Sequence, residues 1–563
     1  MNNIFEFLKT QVKLACNIEN DNFVVETPKD KSHGDYACNA AMALAKEYGK
    51  NPRELAQEFV GKIAKLDFIE TCEIAGPGFI NLSVKKCFLA GALCDIDENY
   101  GIYDYGNGEK INVEYVSANP TGPLHVGHLR GAVYGDILAE LLSKTGFSIC
   151  REYYINDGGG QINTLTKSIY IRYRQLLGDD ISVPDGCYPG EYLIDTASNI
   201  RAKYGDNLQE NDQIIADFAI DEMMRKVKFD LARLDIHHDV FTSEKAIKAS
   251  GEIEKAIDIL AQKDLLYYGY LPEPKGKKSD DWSPKELYIF KSTQFGDSED
   301  RAVKKPDGSY TYFVPDIAYS KNKIDRGFSK MILVLGADHI GFLSRVKSAT
   351  LAVAQDPAQI DWHPIICQIV SFSDGGKPVK MSKRKGTFTT ISDVLDEVSP
   401  DIVRFIMLIK KNDIAMDFDF AKVKVQSKEN PIFYIQYAYS RGSSVLRNAA
   451  ESHGITEDVL KNPDLSVLVN PAEIEVIKKL LEFPQIVKIS VQKYEPHHIA
   501  FYLYDLASAI HSFWNMGNED KSMRIIQDNN EKITIARLFL IKKCLNIIKC
   551  GLGIFKIKPM EWM

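Results

Sequence analysis

The stretch SANPTGPLHVGHLRGA, residues 117–132, sets two histidines three apart, behind a Pro/Gly-rich turn and in front of a helical pattern. Upstream, INVEYV (111–116) has strand character. Downstream, LRGAVYGDILAELLSKTG reads as a helix stopped at Gly146, and FSICREYYIND (147–157) as a second strand. Strand, helix, strand is the repeating unit of a parallel sheet. It recurs where GFLSRVKSATLAVA, helical in pattern, separates the apolar runs KMILVLGAD (330–338) and PIICQIVSF (364–372). The expected fold class is α/β: a mostly parallel sheet with crossover helices, split by a charge- and aromatic-rich insertion at about 165–300.

A chain of 563 residues exceeds what one hydrophobic core fills, since single cores stop growing near about 250–300 residues. Residues 1–105 read as a small α+β module, with helical stretches ACNAAMALAKEYG and PRELAQEFVGKIAK and a strand-like AGPGFINLSV; the turn-rich YDYGNGEK (103–110) closes it. A sheet-bearing domain, 106–428, follows. From 429 to 563 the pattern is helical, and Asn470, Pro471 and Glu473 spell an N-cap, a first-turn proline and a capping-box acid ahead of Ile474, Ile477 and Leu481.

Composition narrows the classes. With 45% hydrophobic and 26% charged residues the chain is an ordinary globular protein. Its formal charge of -8 disfavours indiscriminate adhesion to nucleic acid, so any RNA contact is local. The amino terminus, interrupted by Glu6, Lys9 and Lys13, reads as an amphipathic helix and not as a secretion signal. No apolar run reaches the roughly 18 residues of a membrane span. Ten cysteines without a CxxC pair fit neither a disulfide framework nor a zinc site, and point to a reducing cytoplasm.

Two motifs carry chemistry. A helix N-terminus offers unpaired N–H groups and partial positive charge to a phosphate. His125 and His128 would add donors there, while Gly122, Pro123 and Gly127 let a ligand approach the backbone. The pair could instead be half a zinc site, although no further ligand stands at zinc spacing, or simply surface histidines. The second motif, KPVKMSKRKGTF (377–388), crowds Lys380, Lys383, Arg384 and Lys385 into a loop: a solvated basic loop, or cations that clamp a triphosphate.

In that order, HVGH and KMSKR resemble the paired signatures of class I aminoacyl-tRNA synthetases, with Arg384 where serine is commonest. VEYVSANPTGPLHVGHLRGA, YINDGGGQI, DGSYTYFVPDIAY (307–319), LGADHIGF (335–342), NPIFYIQYAYSR (430–441) and LYDLASAIHSFWN (503–515) extend the resemblance along almost the whole chain to the arginyl-tRNA synthetases. It implies a Rossmann-type catalytic domain, an additional N-terminal domain and a helical anticodon-binding domain. It also implies arginine, ATP with Mg²⁺ and arginine tRNA as ligands, without zinc or membrane, in a monomeric cytoplasmic enzyme.

By the same resemblance, His125, His128, Lys380 and Lys383 are catalytic, and Gly127, Met381, Ser382 and Asp338 join them around ATP. Glu114, Ser117, Asn119, Tyr312, Asp316 and His339 would hold arginine, whose five-donor guanidinium demands acids. Asn156, Asp157 and Gln161 would line the same pocket. Tyr312 has core packing as its plain alternative, and Asp316 an N-cap. Phe79 and Asn81 would touch the tRNA near its D-loop, Phe79 serving otherwise as core. Tyr437, Tyr439 and Arg441 would serve the anticodon, or else divide between core and surface. Rival readings are a catalytically silent RNA-binding relative, and a class I enzyme for cysteine or glutamate. The first of those enzymes calls for a thiolate metal site and the second for a cation in place of Asp316.

Overall fold

Residues 2–272, 285–378, 390–427 and 429–563 are described by the computed structural model. They form two compact units: residues 106–425, and residues 1–105 together with 426–563.

The larger unit is built on five parallel strands in the order Asp361–Cys367, Lys330–Gly336, Lys110–Glu114, Ser148–Ile155, Val240–Ser243. Its strands are apolar where helices cover both faces: Ile111, Val113, Met331, Ile332 and Val334 are all buried. The chain enters at the central strand Lys110–Glu114, steps through the helix Val126–Lys144 toward one edge, then returns to build the other side from Lys330–Gly336. Between those two strands the winding reverses, and the crevice at their C-terminal ends is where open α/β sheets bind ligands. Helix Val126–Lys144 comes close to the strand end because Gly135 faces Tyr115; a Cβ there would lie 2.4 Å from the ring.

Two expectations are corrected. PIICQIVSF is not one strand: Asp361–Cys367 belongs to the parallel sheet, whereas Val370–Asp374 pairs with Met416–Asp419 and Lys377–Pro378 in a separate sheet. The break falls at Gln368, whose carbonyl is taken by Arg130 at 3.3 Å and whose N–H goes to the Asn412 carbonyl at 2.8 Å. Nor is the stretch 165–300 wholly an excursion from the sheet. Helices Gly160–Leu176, Tyr192–Tyr204 and Gln213–Arg233 share a core of Leu165, Ile169, Leu193, Ile200 and Met223, but Val240–Ser243 returns as the edge strand. Strand Leu287–Phe290 then pairs with Leu266–Gly269 and Arg301–Lys304 in a small antiparallel sheet.

In the other unit, strands Val25–Glu26, Tyr36–Cys38, Phe79–Val84 and Ile69–Ala75 form an antiparallel sheet. Helix Ala40–Leu44 is shorter than ACNAAMALAKEYG suggested, because Ala37 and Cys38 are claimed by pairing with Asn81 and Ile80. Helices Pro431–His453, Pro471–Lys493, His497–Glu519 and Glu531–Ile554 complete the unit, and Asn470 and Glu473 form the expected capping box. Ion pairs Lys488–Glu6 (2.7 Å) and Lys478–Asp35 (3.1 Å) fasten these helices to the N-terminal residues.

Candidate active site

The central strand delivers Glu114 to the crevice with its carboxylate already oriented. One oxygen accepts from Ser117 Oγ at 3.0 Å and the other pairs with Lys323 Nζ at 2.5 Å, both ends of that ion pair being buried. Beyond Ser117 the chain emerges, leaving Asn119 exposed. It is then pinned again where the Tyr192 hydroxyl donates to the Thr121 carbonyl at 2.7 Å. Gly122 packs on that tyrosine; a Cβ would sit 3.0 Å from its oxygen.

Leu124 is buried, and His125 becomes the N-cap of the helix. Its Nδ1 accepts from the Gly127 N–H at 3.1 Å, while His128 Nδ1 accepts from the His125 N–H at 3.3 Å. The rings lie 3.9 Å apart. Burial lowers the pKa of His125, and burial together with the neighbouring His125 lowers His128 to about 4. Both are neutral at physiological pH.

Lys380, Met381, Ser382 and Lys383 lie outside the described residues. The chain leaves that segment at Thr390, which bridges antiparallel to His125, and the Ile391 N–H donates to the Leu124 carbonyl at 3.0 Å. The chain just beyond the lysine motif is thus fastened beside the histidine motif. Asp338 and His339 occupy the turn Ala337–Phe342 after the strand Lys330–Gly336, both exposed, 3.3 Å apart. Asp338 opposes the fall in both imidazole pKa values, which places its charge near them.

The other wall is acidic. Asp316 lies in the first turn of helix Val314–Asp325, whose N-cap is Phe313, so its plain role as an N-cap is removed. Burial pushes its carboxyl up to about 7; Glu244 and Glu114 push the same way, opposed by Arg345 and Lys248. Tyr312 is 74% exposed and therefore not core. Its hydroxyl accepts from Arg345 Nη1 at 2.6 Å, and the Arg345 guanidinium stands 5.1 Å from its ring. The protein's own guanidinium already finds this corner congenial.

Glu244, buried and paired with Lys248, was invisible in the sequence. It begins a six-residue helix directly after the edge strand, and only the parallel pairing of that strand signals its approach to the crevice. Asp157 is consumed locally, accepting from Ser243 Oγ at 2.6 Å and from the Lys245 N–H at 2.8 Å. Asn156 is half-buried and Gln161 exposed.

Five candidates belong to the other unit. Phe79 and Asn81 share the outward face of their strand, while Ile80 and Leu82 fill the core, so Phe79 is not core. Tyr437 is 41% exposed, and the Arg441 guanidinium stands 5.2 Å from its ring and 4.4 Å from Trp514. Tyr439 is buried, in keeping with the core alternative of its reading. Among the described residues, Glu495, His497 and His498 are a group whose ligand atoms converge enough for a metal. They sit at the start of helix His497–Glu519, where the helix dipole opposes a cation.

Three family models match the chain: Arginyl tRNA synthetase N terminal domain over residues 2–84, tRNA synthetases class I (R), catalytic domain, over 94–179, and DALR anticodon binding domain over 435–563. An arginine–tRNA ligase of Wolbachia pipientis wMel is 48% identical over 547 residues, 96% of this chain and 95% of that one. One from Parvibaculum lavamentivorans is 45% identical over 583 residues, spanning 100% of both chains. In fold, the chain matches the Thermus thermophilus arginyl-tRNA synthetase with a TM-score of 0.76 at 19% identity, covering 100% of both. The chain belongs to the arginine–tRNA ligases, a family of class I aminoacyl-tRNA synthetases.

Proposed function

We propose that the protein joins L-arginine to arginine tRNA in two steps at the crevice described above. In the first, an arginine carboxylate oxygen bonds to the α-phosphorus of ATP, supplied as its Mg²⁺ salt, and pyrophosphate leaves. In the second, the terminal ribose hydroxyl of the tRNA attacks the arginyl carbonyl carbon, losing its proton, and AMP departs. Such chemistry asks for positioning and charge stabilisation more than for a protein nucleophile.

One observation carries the reading: acids gather around Asp316 at the crevice, while the capped imidazole pair is bridged by Thr390, just beyond the lysine motif. Asp316, with Glu244 and Tyr312, takes the guanidinium. Glu114, Ser117 and Asn119 orient the amino-acid end, and His339 flanks it. His125, His128 and the Gly127 N–H take ATP phosphates with Asp338 nearby; Lys380 and Lys383, flanking Met381 and Ser382, clamp the departing pyrophosphate. A site made to bond a guanidinium rejects amino acids lacking one by on the order of 10⁴–10⁵.

Residues 1–105, through Phe79 and Asn81, contact the tRNA near its D-loop, an aromatic and an amide being suited to unstacked bases. The helices of 429–563 read the anticodon with Tyr437 and Arg441. The enzyme acts as a cytoplasmic monomer; among the described residues no helix is long and apolar enough to cross a membrane. Pyrophosphate exchange, run with each amino acid in the presence and absence of arginine tRNA, tests the assignment. Exchange with arginine alone among the twenty supports it; exchange with another amino acid, or with none, overturns it.

A further inference from the structure

Between Glu114 and Asn119 the backbone is strained. Val116 stands at φ 69° and Ser117 at φ 39°, and a β-branched residue at positive φ is a steric outlier. The Ser117 N–H donates to the Tyr115 carbonyl at 3.0 Å, closing a three-residue turn about Val116 of the rare, strained hand. Something must hold it.

Three groups do. The Tyr154 N–H donates to Ser117 Oγ at 3.0 Å, the Tyr153 hydroxyl donates to the Ala118 carbonyl at 2.7 Å, and His238 Nε2 donates to the Tyr115 carbonyl at 3.3 Å. The first two come from the neighbouring strand, which the sheet positions in any case. His238 is different: it precedes the edge strand, and its ring is set 4.2 Å from the Tyr115 ring and edge-on to Tyr153 at 5.5 Å. Burial lowers its pKa to about 4, so at neutral pH it is a neutral donor. Its Nδ1 is buried with no partner among the described residues, so the bond to the turn carbonyl is the polar role the ring fills.

We propose that His238 is a positioning residue for arginine: by bonding the Tyr115 carbonyl it keeps the Val116 turn in its left-handed form, and that turn aims Ser117, Asn119 and, through Ser117 Oγ, Glu114 at the amino acid. The proposal rests on the reading that those three residues hold arginine. Strain persists where the surroundings over-determine it, and at binding sites it is the form that pre-organisation takes.

The test is pyrophosphate exchange by the full chain with tRNA present, measuring KM for arginine and for ATP separately in H238F, H238Q, V116G and N119A. H238F keeps the ring stack and removes the donor; H238Q restores a donor. The expected result is a rise of about tenfold or more in the arginine KM of H238F, with the ATP KM within about twofold, since a misplacement of about 1 Å is that costly. H238Q recovers most of the loss. V116G, freed of its steric clash, raises the thermal midpoint yet weakens arginine binding. Failure of H238F to move the arginine KM, an equal rise for both substrates, or no recovery in H238Q overturns the proposal. Should H238F not fold, V116G decides: a rise in its midpoint without weaker arginine binding, or no rise, overturns it. If N119A leaves the arginine KM unchanged, the underlying site assignment has failed; if N119A raises it and H238F does not, only the role of His238 has.

Discussion

Two aspartates of the larger unit stand in opposite circumstances. Asp136, on the helix that follows the histidine motif, is wholly buried, and its carboxylate meets Arg404 Nη2 at 2.7 Å, while Arg404 Nη1 reaches the Leu234 carbonyl at 2.8 Å. Asp316 has no ion pair among the described residues, and burial, helped by Glu244 and Glu114 and opposed by Arg345 and Lys248, pushes its carboxyl up to about 7. An acid answered by a dedicated cation is masonry. One left among other acids at the mouth of a crevice stores unfavourable charge that a cationic ligand relieves.

The comparison breaks most visibly at Asp136. Replacing Arg404 by methionine strands a buried carboxylate, at a cost of about 3–5 kcal/mol, which denaturant titration of the full chain reads as a lower midpoint. The arginine KM of the folded fraction should not change. In D316N the pattern inverts: kcat/KM for arginine falls by roughly 10²–10³-fold, because the guanidinium loses its proposed ionised partner, while the midpoint holds or rises. A D316N protein as unstable as R404M would abolish the distinction.

A gentler probe is pH. Because Asp316 is protonated below about 7 and, in its proposed role, must be ionised to hold the guanidinium, the arginine KM falls as pH rises toward 7, by up to tenfold per unit, and levels off above. D316N should lose that slope. The stability sign is opposite. An unfolded aspartate titrates near about 4, so between about 4 and 7 the folded state holds the extra proton, and stability without arginine declines as pH climbs through that window. Melting curves at pH 5 and pH 8, with and without arginine, read both signs. Smallest of all, Y312F removes one exposed hydroxyl and should raise the arginine KM by about five- to tenfold, with ATP unaffected.

The sequence disclosed the sheet where its logic is local. INVEYV, the glycine-stopped helix and FSICREYYIND are contiguous signals of period and punctuation, and the residues found are Lys110–Glu114, Val126–Lys144 and Ser148–Ile155. It also disclosed the mouth of that helix, since Pro123, Gly127 and paired histidines leave few other local uses. It could not disclose what depends on distant partners. Val240–Ser243 is four residues with no run long enough to show alternation, and only pairing with Glu152–Ile155 makes it a strand. The fracture at Gln368 answers to Arg130 and Asn412, neither of them near it in the chain. Glu244, Lys323, Arg345 and His238 are ordinary letters in their local contexts, each made relevant by a contact that folding alone supplies.

The cap on the histidine helix settles a matter of protons. A backbone N–H can only donate, so the Nδ1 atoms that receive Gly127 and His125 must be bare, and each neutral ring carries its hydrogen on Nε2. The helix thereby selects one tautomer for both imidazoles before any nucleotide arrives. Protonating either Nδ1 would turn an acceptor into a repelled donor, so the same two bonds that start the helix keep the pair uncharged and its outward hydrogens in place.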